Sequence, residues 1–391
     1  MEGDFIKIND WLLPLSWIYG AGVRLRNQMF EMGMLKSRSF DIPVISVGNI
    51  TVGGSGKTPH VEYLINLLRD KVKVAVLSRG YKRKSKGYML ATADTPMSDI
   101  GDEPYQMKKK FADIYVAVDK DRCHGIDQLT TNEETSDTDV ILLDDAYQHR
   151  YVKPGVNILL VDYHRLIMYD KLLPAGRLRE PQKGKARADI VIVSKCPADL
   201  KPMEFRVITK AMNLFPYQKL YFTTLKYGSL RPIYGGEDRK LDTLTGDTSI
   251  LLLTGIASPQ QMIVDLKPYT ERITPLTFPD HHQYTDADID RINAEFEAMK
   301  GNDKMIVTTE KDNARLCGME GLSDEVKKII YVLPVEVGFM LDQEEDFNEN
   351  IIGYVRKNSR NSILAKAKDD NKSDNSDNSG NRTRTISFRN N

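Results

Sequence analysis

Val44-Ile-Ser-Val-Gly-Asn-Ile-Thr-Val-Gly-Gly-Ser-Gly-Lys-Thr-Pro59 is the stretch of sequence that decides the fold. Its first residues are apolar and β-branched, which predicts a buried strand, and a glycine-rich turn follows. Pro59 then stands where the first turn of a helix tolerates proline. A strand, a glycine-rich turn and a helix in this order form a loop whose backbone N–H groups can bind phosphate.

The residue types of this loop favour nucleotide phosphates. Its glycines let backbone N–H groups face the phosphates, Lys57 can reach the β- and γ-phosphates, and the Thr58 hydroxyl can ligate Mg²⁺. Thr51 stands where the strict pattern has glycine, so an ordinary strand-to-helix turn with chance glycines is the alternative. That alternative needs Gly-Lys-Thr to follow a strand by accident. We therefore predict that the nucleotide is bound by Thr51, Val52, Gly53, Gly54, Ser55, Gly56, Lys57 and Thr58.

A second motif is Val140-Ile-Leu-Leu-Asp-Asp145. An apolar strand that ends in carboxylates, here Asp144 and Asp145, is typical of the strand that supplies Mg²⁺ ligands beside a phosphate loop. Many strands end in aspartate, so this motif is informative only together with the first one. Guanine-binding proteins usually also carry Asn-Lys-x-Asp, and the nearest match, Ser194-Lys-Cys-Pro197, lacks that aspartate. The sequence therefore predicts ATP and Mg²⁺ as the bound nucleotide and metal.

Outward from these motifs, short apolar runs alternate with helical stretches, which predicts an α/β fold. Continuous apolar runs are typical of a parallel sheet that is covered on both faces. The runs are Pro43–Val47, Lys73–Ser78, Ile114–Val118, Val140–Asp144, Asn157–Asp162 and Ile190–Ser194. Two extended segments joined through Gly228 follow, and then a second α/β set. The second set comprises Ser249–Thr254, a helix from Ser258, Lys304–Thr309 and Ile330–Pro334.

This rhythm predicts two α/β units. The first is a phosphate-loop domain over residues 41–218, and the second covers residues 219–358 and includes a β linker formed by Lys219–Tyr227 and Leu230–Tyr234. Two such units leave a cleft between them, where ligand sites are common. Residues 359–391 are rich in Asn, Asp, Ser, Lys and Arg, so we predict a disordered polar tail.

Residues 1–40 are predicted to form a helical N-terminal segment. Trp11–Val23 is thirteen residues long and carries no charge, and it contains both tryptophans of the chain. It is too short to span a bilayer. Basic residues follow it, as in helices that lie in the membrane interface. The alternative is a core helix that packs its apolar residues against its own domain.

The overall composition excludes some classes of protein. The chain has 391 residues, and its 55 Lys+Arg balance its 55 Asp+Glu, which argues against a nucleic-acid-binding protein. Its three cysteines are widely spaced, so neither a disulfide framework nor structural zinc is indicated. Nothing in the sequence implies an oligomer.

Seven motifs occur in a fixed order along the chain. They are Gly48–Pro59, Ser78-Arg-Gly-Tyr81, Gly101-Asp-Glu-Pro104, Asp144-Asp-Ala-Tyr-Gln-His149, Leu173-Pro-Ala-Gly-Arg-Leu-Arg-Glu-Pro181, Phe278-Pro-Asp-His-His282 and Thr309-Glu-Lys-Asp312. Their order and spacing resemble the tetraacyldisaccharide 4'-kinase family of lipid A biosynthesis. That family shares the non-glycine at position 51, typically has Asp-Asp-Gly-Phe-Gln-His at the fourth motif, and does not generally carry a tail such as residues 359–391.

The resemblance implies a kinase that moves the γ-phosphate of ATP to the 4'-hydroxyl of tetraacyldisaccharide 1-phosphate. It implies two α/β/α sandwich domains around a cleft, the first with a P-loop NTPase-like parallel sheet. It also implies a protein at the cytoplasmic face of the bacterial inner membrane, with an N-terminal segment that meets the membrane. Such a segment would bring the cleft to a sugar that is held in the membrane by four acyl chains.

Phosphoryl transfer depends on positioning and on charge neutralisation. Lys57 and Mg²⁺ are expected to stabilise charge on the transferring phosphate, with Thr58 as a direct metal ligand and Asp144 and Asp145 in the metal shell. By family analogy Glu180 reaches the metal too. The alternative for Glu180 is a surface carboxylate.

The resemblance also implies a general base. The family analogue of Asp102 accepts the proton of the attacking hydroxyl, assisted by the histidine that matches His281, and Arg122 matches an arginine near the phosphates. Considered as residues alone, Asp102 followed by Pro104 is better explained as a helix N-cap. The corresponding alternative for Arg122 is a solvated surface charge.

Two other functions use the same motifs. One is a P-loop ATPase or ligase that acts on a soluble metabolite, which would have no use for an apolar, Trp-bearing extension. The other is a nucleotide-dependent membrane scaffold, which would need no base at Asp102.

Overall fold

The computed structural model describes residues 8–256, 259–280, 282–316 and 319–359. The strands are β1 (Val44–Gly48), β2 (Val74–Ser78), β3 (Met89–Leu90), β4 (Tyr115–Val118), β5 (Val140–Asp144), β6 (Val156–Asp162), β7 (Ile190–Ser194), β8 (Lys219–Tyr227), β9 (Arg231–Pro232), β10 (Ser249–Thr254), β11 (Ile273–Thr277), β12 (Lys304–Thr309), β13 (Ile330–Leu333) and β14 (Val335–Phe339). The α-helices are α1 (Leu13–Glu31), α2 (Lys57–Leu68), α3 (Met97–Ile100), α4 (Asp102–Lys110), α5 (Arg122–Thr131), α6 (Pro202–Met212), α7 (Pro259–Leu266), α8 (Asp286–Ala298), α9 (Glu310–Leu316), α10 (Asp324–Ile329) and α11 (Glu344–Asn358). Short 3₁₀ helices cover Asp10–Leu12, Tyr163–Arg165, Ile167–Tyr169, Gln182–Arg187 and Leu241–Thr243.

The first sheet contains nine strands among the described residues, in the order β14-β8-β7-β6-β1-β5-β2-β4-β3. β1 lies between β5 and β6 and is parallel to both. The parallel pairing extends outward to β4 on one side and to β8 on the other, and the edge strands β3 and β14 run antiparallel. The predicted α/β class with a parallel sheet is therefore confirmed.

Helices cover both faces of this sheet, because alternate residues of a strand point to opposite faces. On one face Ile45 and Val47 of β1 belong to a core that includes residues of α2, α4 and α11. On the other face Val44 of β1 packs in a core with α5, and α6 covers the same face beside β7. The burial on both faces explains why the central strands have continuous apolar sequences.

The second sheet contains five strands among the described residues, in the order β11-β10-β12-β13-β9. β11, β10, β12 and β13 are parallel, and the short edge strand β9 is antiparallel. α7 packs on one face, and α8, α9 and α10 contribute to the core on the other. The predicted helix start at Ser258 and tail residues 360–391 lie outside the described residues.

The chain crosses between the two sheets twice, at Gly228 and at Pro334, and the Gly228 N–H donates to the Pro334 carbonyl at 3.1 Å. The boundary predicted at residue 219 does not separate the two sheets. β8, which begins at residue 219, pairs with β14, and both strands lie at the edge of the first sheet. α11 buries Phe347, Ile351 and Val355 in the core of that same sheet. Residues 335–358 thus return to the first unit, and the second sheet is formed by the intervening chain.

α1 packs against the first unit through its small residues. Ser16 Oγ donates to the Leu172 carbonyl at 3.0 Å, and a Cβ at Gly20 would lie 2.6 Å from Leu172 Cδ1. Large apolar side chains point away instead: Trp17 is 67% exposed and Ile18 70%, and Trp11, in the 3₁₀ helix just before α1, is 93% exposed. α1 therefore packs on its own domain as a core helix would, but it leaves these apolar side chains exposed, and contact with a membrane stays a prediction.

Within the described ranges, no helix combines the length and the hydropathy that crossing a bilayer requires.

His60 of α2 joins the phosphate-loop helix to β8. Its Nδ1 lies 2.7 Å from the Gly56 carbonyl, and its Nε2 lies 3.0 Å from Thr223 Oγ1. The carbonyl can only accept, so Nδ1 donates to it and the neutral ring accepts from Thr223 through Nε2. Burial lowers the pKa of His60 to about 4.

We predict that protonation of His60 contributes to acid unfolding. The pKa is lower in the folded chain than in the unfolded chain, so the contribution of His60 to stability is complete above about pH 6.5 and is lost as the pH falls towards 4. The lost free energy of unfolding is about 3 kcal/mol by pH 4. Urea unfolding at several pH values should show a steeper loss for the wild type than for His60→Gln. Equal pH slopes would contradict the prediction.

Candidate active site

The phosphate loop runs from Asn49 to Gly56, between β1 and α2. Gly53 and Gly56 have φ values of 118° and 78°, a left-handed conformation that favours glycine. α2 begins at Lys57, so Thr58 lies in its first turn. The loop therefore presents the N-terminus of a helix, with its free N–H groups and partial positive charge, towards an anion.

Thr51 replaces glycine at a position where the backbone is extended. It forms an antiparallel bridge with Leu178, and the Val52 N–H donates to the Arg177 carbonyl at 2.8 Å. The Arg179 N–H donates in turn to the Ile50 carbonyl at 2.7 Å. An extended bridge needs no glycine, so the departure from the strict pattern follows from the pairing of the loop with residues 177–179.

Asn49 supports the loop from inside, a role that the sequence analysis missed. Its side chain is fully buried, and Nδ2 donates to Ser55 Oγ at 2.8 Å. Ser194, at the end of β7, donates through Oγ to the Ser55 carbonyl at 2.9 Å. Asn49 comes directly after β1, within the stretch Val44–Pro59. This position is the sequence signal that could have indicated its role.

The paired carboxylates lie directly beside this loop. Val47 of β1 is paired with Asp144 of β5, and Lys57 Nζ lies 3.6 Å from Asp145 Oδ1. Burial, followed by repulsion from Asp145, raises the pKa of Asp144 to about 7. Asp145 Oδ1 is buried and has no hydrogen-bond partner among the described residues. Crowded carboxylates with a free oxygen are the ligand type that a hard divalent cation prefers.

Arg122, at the start of α5, is buried, so the alternative of a solvated surface charge is wrong. Burial lowers the pKa of Arg122 to about 10, and the negative charges of Asp144 and Asp145 oppose this decrease. Its Nε has no hydrogen-bond partner among the described residues. A buried guanidinium with a free donor fits an anionic group such as a phosphate.

Two further arginines belong to this site. Arg179 Nη1 lies 3.6 Å from Asp145 Oδ2, and the positive charge of Arg79 contributes to the lowered pKa of Arg122. Both arginines stand in motifs quoted above, but the sequence alone assigned no role to either. Together with Lys57 they surround the carboxylates with positive charge.

Glu180 is buried, so the alternative of a surface carboxylate is wrong. Both of its oxygens accept from Arg187 Nη2, at 2.9 and 2.8 Å, and Oε1 also accepts from Gln148 Nε2 at 3.2 Å. Gln148 Nε2 donates to the Asn49 carbonyl at 2.5 Å, which connects Glu180 to the base of the phosphate loop. Its role as a metal ligand stays a prediction.

Asp102 is the first residue of α4, and Gly101 occupies the N-cap position, so the N-cap alternative for Asp102 is wrong. The buried Asp102 carboxylate accepts from Arg315 Nε at 2.9 Å and from Arg315 Nη2 at 2.6 Å. The negative charge of the adjacent Glu103 raises the pKa of Asp144, which places the start of α4 beside the acid pair. His281, the predicted partner of Asp102, lies outside the described residues.

His149 closes the fourth motif beside Arg122. Burial, and then the charge of Arg122, lower the pKa of His149 to about 4, and its Nε2 has no hydrogen-bond partner among the described residues. The ligand atoms of His149, Asp121 and Cys123 lie within 4.8 Å of one another. No metal role was predicted for these three residues, and the metal roles predicted for Asp144 and Asp145 stay predictions.

The chain is similar to known proteins over most of its length. A family model described as Tetraacyldisaccharide-1-P 4'-kinase matches residues 8–356. A tetraacyldisaccharide 4'-kinase from Phocaeicola vulgatus is 61% identical over 363 residues, which cover 93% of this chain and 99% of the relative. Another from Bacteroides fragilis is 54% identical over 377 residues, which cover 95% of this chain and 100% of the relative.

A solved structure shares the fold as well. The crystal structure of LpxK from Aquifex aeolicus in complex with ATP is 31% identical in sequence and has a TM-score of 0.67. The alignment covers 88% of this chain and 98% of that one. These similarities extend over both sheets and over the site between them, and the chain therefore belongs to the tetraacyldisaccharide-1-P 4'-kinase family.

Proposed function

We propose that this protein transfers the γ-phosphate of ATP to the 4'-hydroxyl of tetraacyldisaccharide 1-phosphate. The observation that carries the proposal is the 3.6 Å approach of Lys57, at the start of the phosphate-loop helix, to Asp145 of the acid pair. The names of the relatives support the acceptor, and the ATP complex of the Aquifex aeolicus protein supports the nucleotide.

The side-chain oxygens near Lys57 and Asp145 are suitable ligands for Mg²⁺. Thr58, Asp144 and Asp145 would hold it, with Glu180 as a further predicted ligand. Asp145 Oδ1 accepts no hydrogen bond among the described residues, and burial beside Asp145 raises the pKa of Asp144, so a cation would stabilise the charged form of this pair. When bound, Mg²⁺ supplies positive charge that neutralises phosphate oxygens.

The chain's own groups position the reactants. Lys57 and the loop N–H groups bind the phosphates of ATP, and the free Nε of Arg122 donates to a phosphate oxygen. Asp102, at the start of α4, accepts the proton of the 4'-hydroxyl while the new O–P bond forms and ADP leaves. A base is sufficient for this step because the transition state is loose and the proton moves late.

The outward face of α1 supports action at a membrane surface. Trp11, Trp17 and Ile18 are exposed while Ser16 and Gly20 pack against the protein, so the apolar side is free to enter the headgroup layer. This arrangement would hold the cleft near an acylated disaccharide at the cytoplasmic face of the inner membrane.

Turnover should depend on Lys57 and Asp102. The assay follows transfer of label from γ-labelled ATP to tetraacyldisaccharide 1-phosphate in detergent micelles with Mg²⁺. Lys57→Ala removes phosphate charge stabilisation and Asp102→Asn removes the proton acceptor, and each should lower turnover by about a hundredfold or more.

Matched controls separate these roles from general charge effects. Lys71→Ala, in the exposed turn after α2, and Asp94→Asn, in an exposed loop, should retain turnover within about twofold, in line with ordinary surface substitutions. Absence of label transfer by the wild-type protein would sink the proposed function. Near-normal turnover of Asp102→Asn would favour the scaffold alternative over a kinase that uses this base.

Membrane binding should depend on the exposed tryptophans. The double variant Trp11→Ala, Trp17→Ala should bind phosphatidylethanolamine–phosphatidylglycerol vesicles at least about tenfold more weakly, because each buried aromatic side chain contributes about 1.5 to 3 kcal/mol. Co-sedimentation measures the affinity. Phe215→Ala, which removes an exposed aromatic ring elsewhere, is the control and should bind like the wild type. Equal binding by the double variant would show that α1 does not carry the membrane contact.

A further inference from the structure

Arg315 of α9 is a buried guanidinium that reaches from the second unit into the first. Its side chain is 0% exposed, and its Nε and Nη2 both donate to Asp102 Oδ2, at 2.9 and 2.6 Å. The two residues are 213 positions apart in the sequence. The side chain assigned as general base is therefore held by a residue from the opposite side of the cleft.

The other end of the guanidinium is fixed within the second unit. Arg315 Nη1 donates to the Gly255 carbonyl and to Asp312 Oδ1, both at 2.9 Å. Asp312 is itself fully buried, and its Oδ2 accepts from the Gly255 N–H at 2.9 Å and from Thr309 Oγ1 at 2.8 Å. Arg315 thus has little freedom to move, because each of its contacts is a charged or backbone hydrogen bond in a buried site.

The combined charge of Arg315, Asp312 and Asp102 suits Asp102 as a base. One guanidinium lies between two carboxylates, Asp312 and Asp102, so the three groups sum to a single negative charge. Asp312 offsets part of the positive charge that Asp102 meets. The Asp102 carboxylate is held in place without being fully neutralised, and the planar fork of arginine achieves this where lysine could not.

Two other ion pairs also join α4 and α9, but their side chains are more exposed. Lys311 Nζ lies 3.1 Å from Glu103 Oε1, and Lys110 Nζ lies 2.7 Å from Glu310 Oε1. The side chains of all four residues are between 17% and 22% exposed, whereas that of Arg315 is 0% exposed. These pairs hold α4 against α9, whereas Arg315 donates two hydrogen bonds to the assigned base itself.

We propose that Arg315 is a positioning residue for phosphoryl transfer. It fixes the Asp102 carboxylate at the cleft. The position of this carboxylate therefore depends on how the second unit packs against the first. Arg315 exchanges no proton: the 4'-hydroxyl proton goes to Asp102, and the bond to ADP breaks as the new O–P bond forms. This inference rests on the proposed function.

A double-mutant cycle tests the proposal. Turnover and KM for both substrates are measured in the label-transfer assay for wild type, Arg315→Met, Asp102→Asn and the double variant. Arg315→Met should lower kcat by about ten- to a hundredfold through misplacement of the base, with the KM for ATP within about twofold of wild type. In the Asp102→Asn background the same substitution should cost less than about twofold, because its effect passes through Asp102.

Two more variants keep the test decisive. Arg315→Lys retains the positive charge but loses the planar guanidinium, so it should recover part of the kcat that Arg315→Met loses. If thermal unfolding shows that the methionine variant is not folded, Arg315→Lys replaces it in the cycle. Lys311→Met removes the ion pairs of Lys311 with Glu103 on α4 and with Asp280, and it should keep kcat within about threefold of wild type. Losses that multiply in the double variant would overturn the proposal and make Arg315 a packing residue. An inactive wild-type protein would instead overturn the proposed function.

Discussion

The parallel pairing of β1 with β5 is the constraint on which the site depends. Val47 lies opposite Asp144, so the phosphate loop and the acid pair leave the sheet at the same edge, side by side. β2 joins them there, because Ser78 at its end donates to Asp144 Oδ2 at 3.3 Å. A slip of one residue would turn the Asp144 side chain to the other face of the sheet.

The chain bears two kinds of apolar surface. Core residues of the two sheets face helices on both sides, while α1 turns small residues such as Ser16 and Gly20 inward and Trp17 outward. An exposed apolar face gains no stability from folding, because water covers it in the folded and in the unfolded chain alike. The outward residues of α1 are available to a lipid surface, as the proposed function requires, while Phe30 near its end is buried in the chain's own domain.

Much of the fold could be predicted from local patterns, and the exceptions have physical causes. The family and the α/β class were predicted and are confirmed, and the central strands lie within a residue or two of their predicted bounds. β11 was missed because it contains a proline and three of its five residues are exposed, so it shows no continuous apolar run. β8, β14 and α11 were predicted within the second unit but pack with the first, because β8 pairs with β7, β14 pairs with β8, and α11 enters the first core. These contacts join residues that are distant in the chain, so no local pattern indicates them.

The sequence by itself determined the chemistry available at the site: a loop that binds phosphates, Lys57, and a pair of carboxylates for a metal. These features are contiguous, so their residue types and spacing are enough to identify them. Tertiary structure alone decided how those groups behave. It buries Arg122, raises the pKa of Asp144 to about 7 and brings Arg315 to Asp102. Burial and charge proximity arise between residues that are distant in the chain, and no local pattern records them.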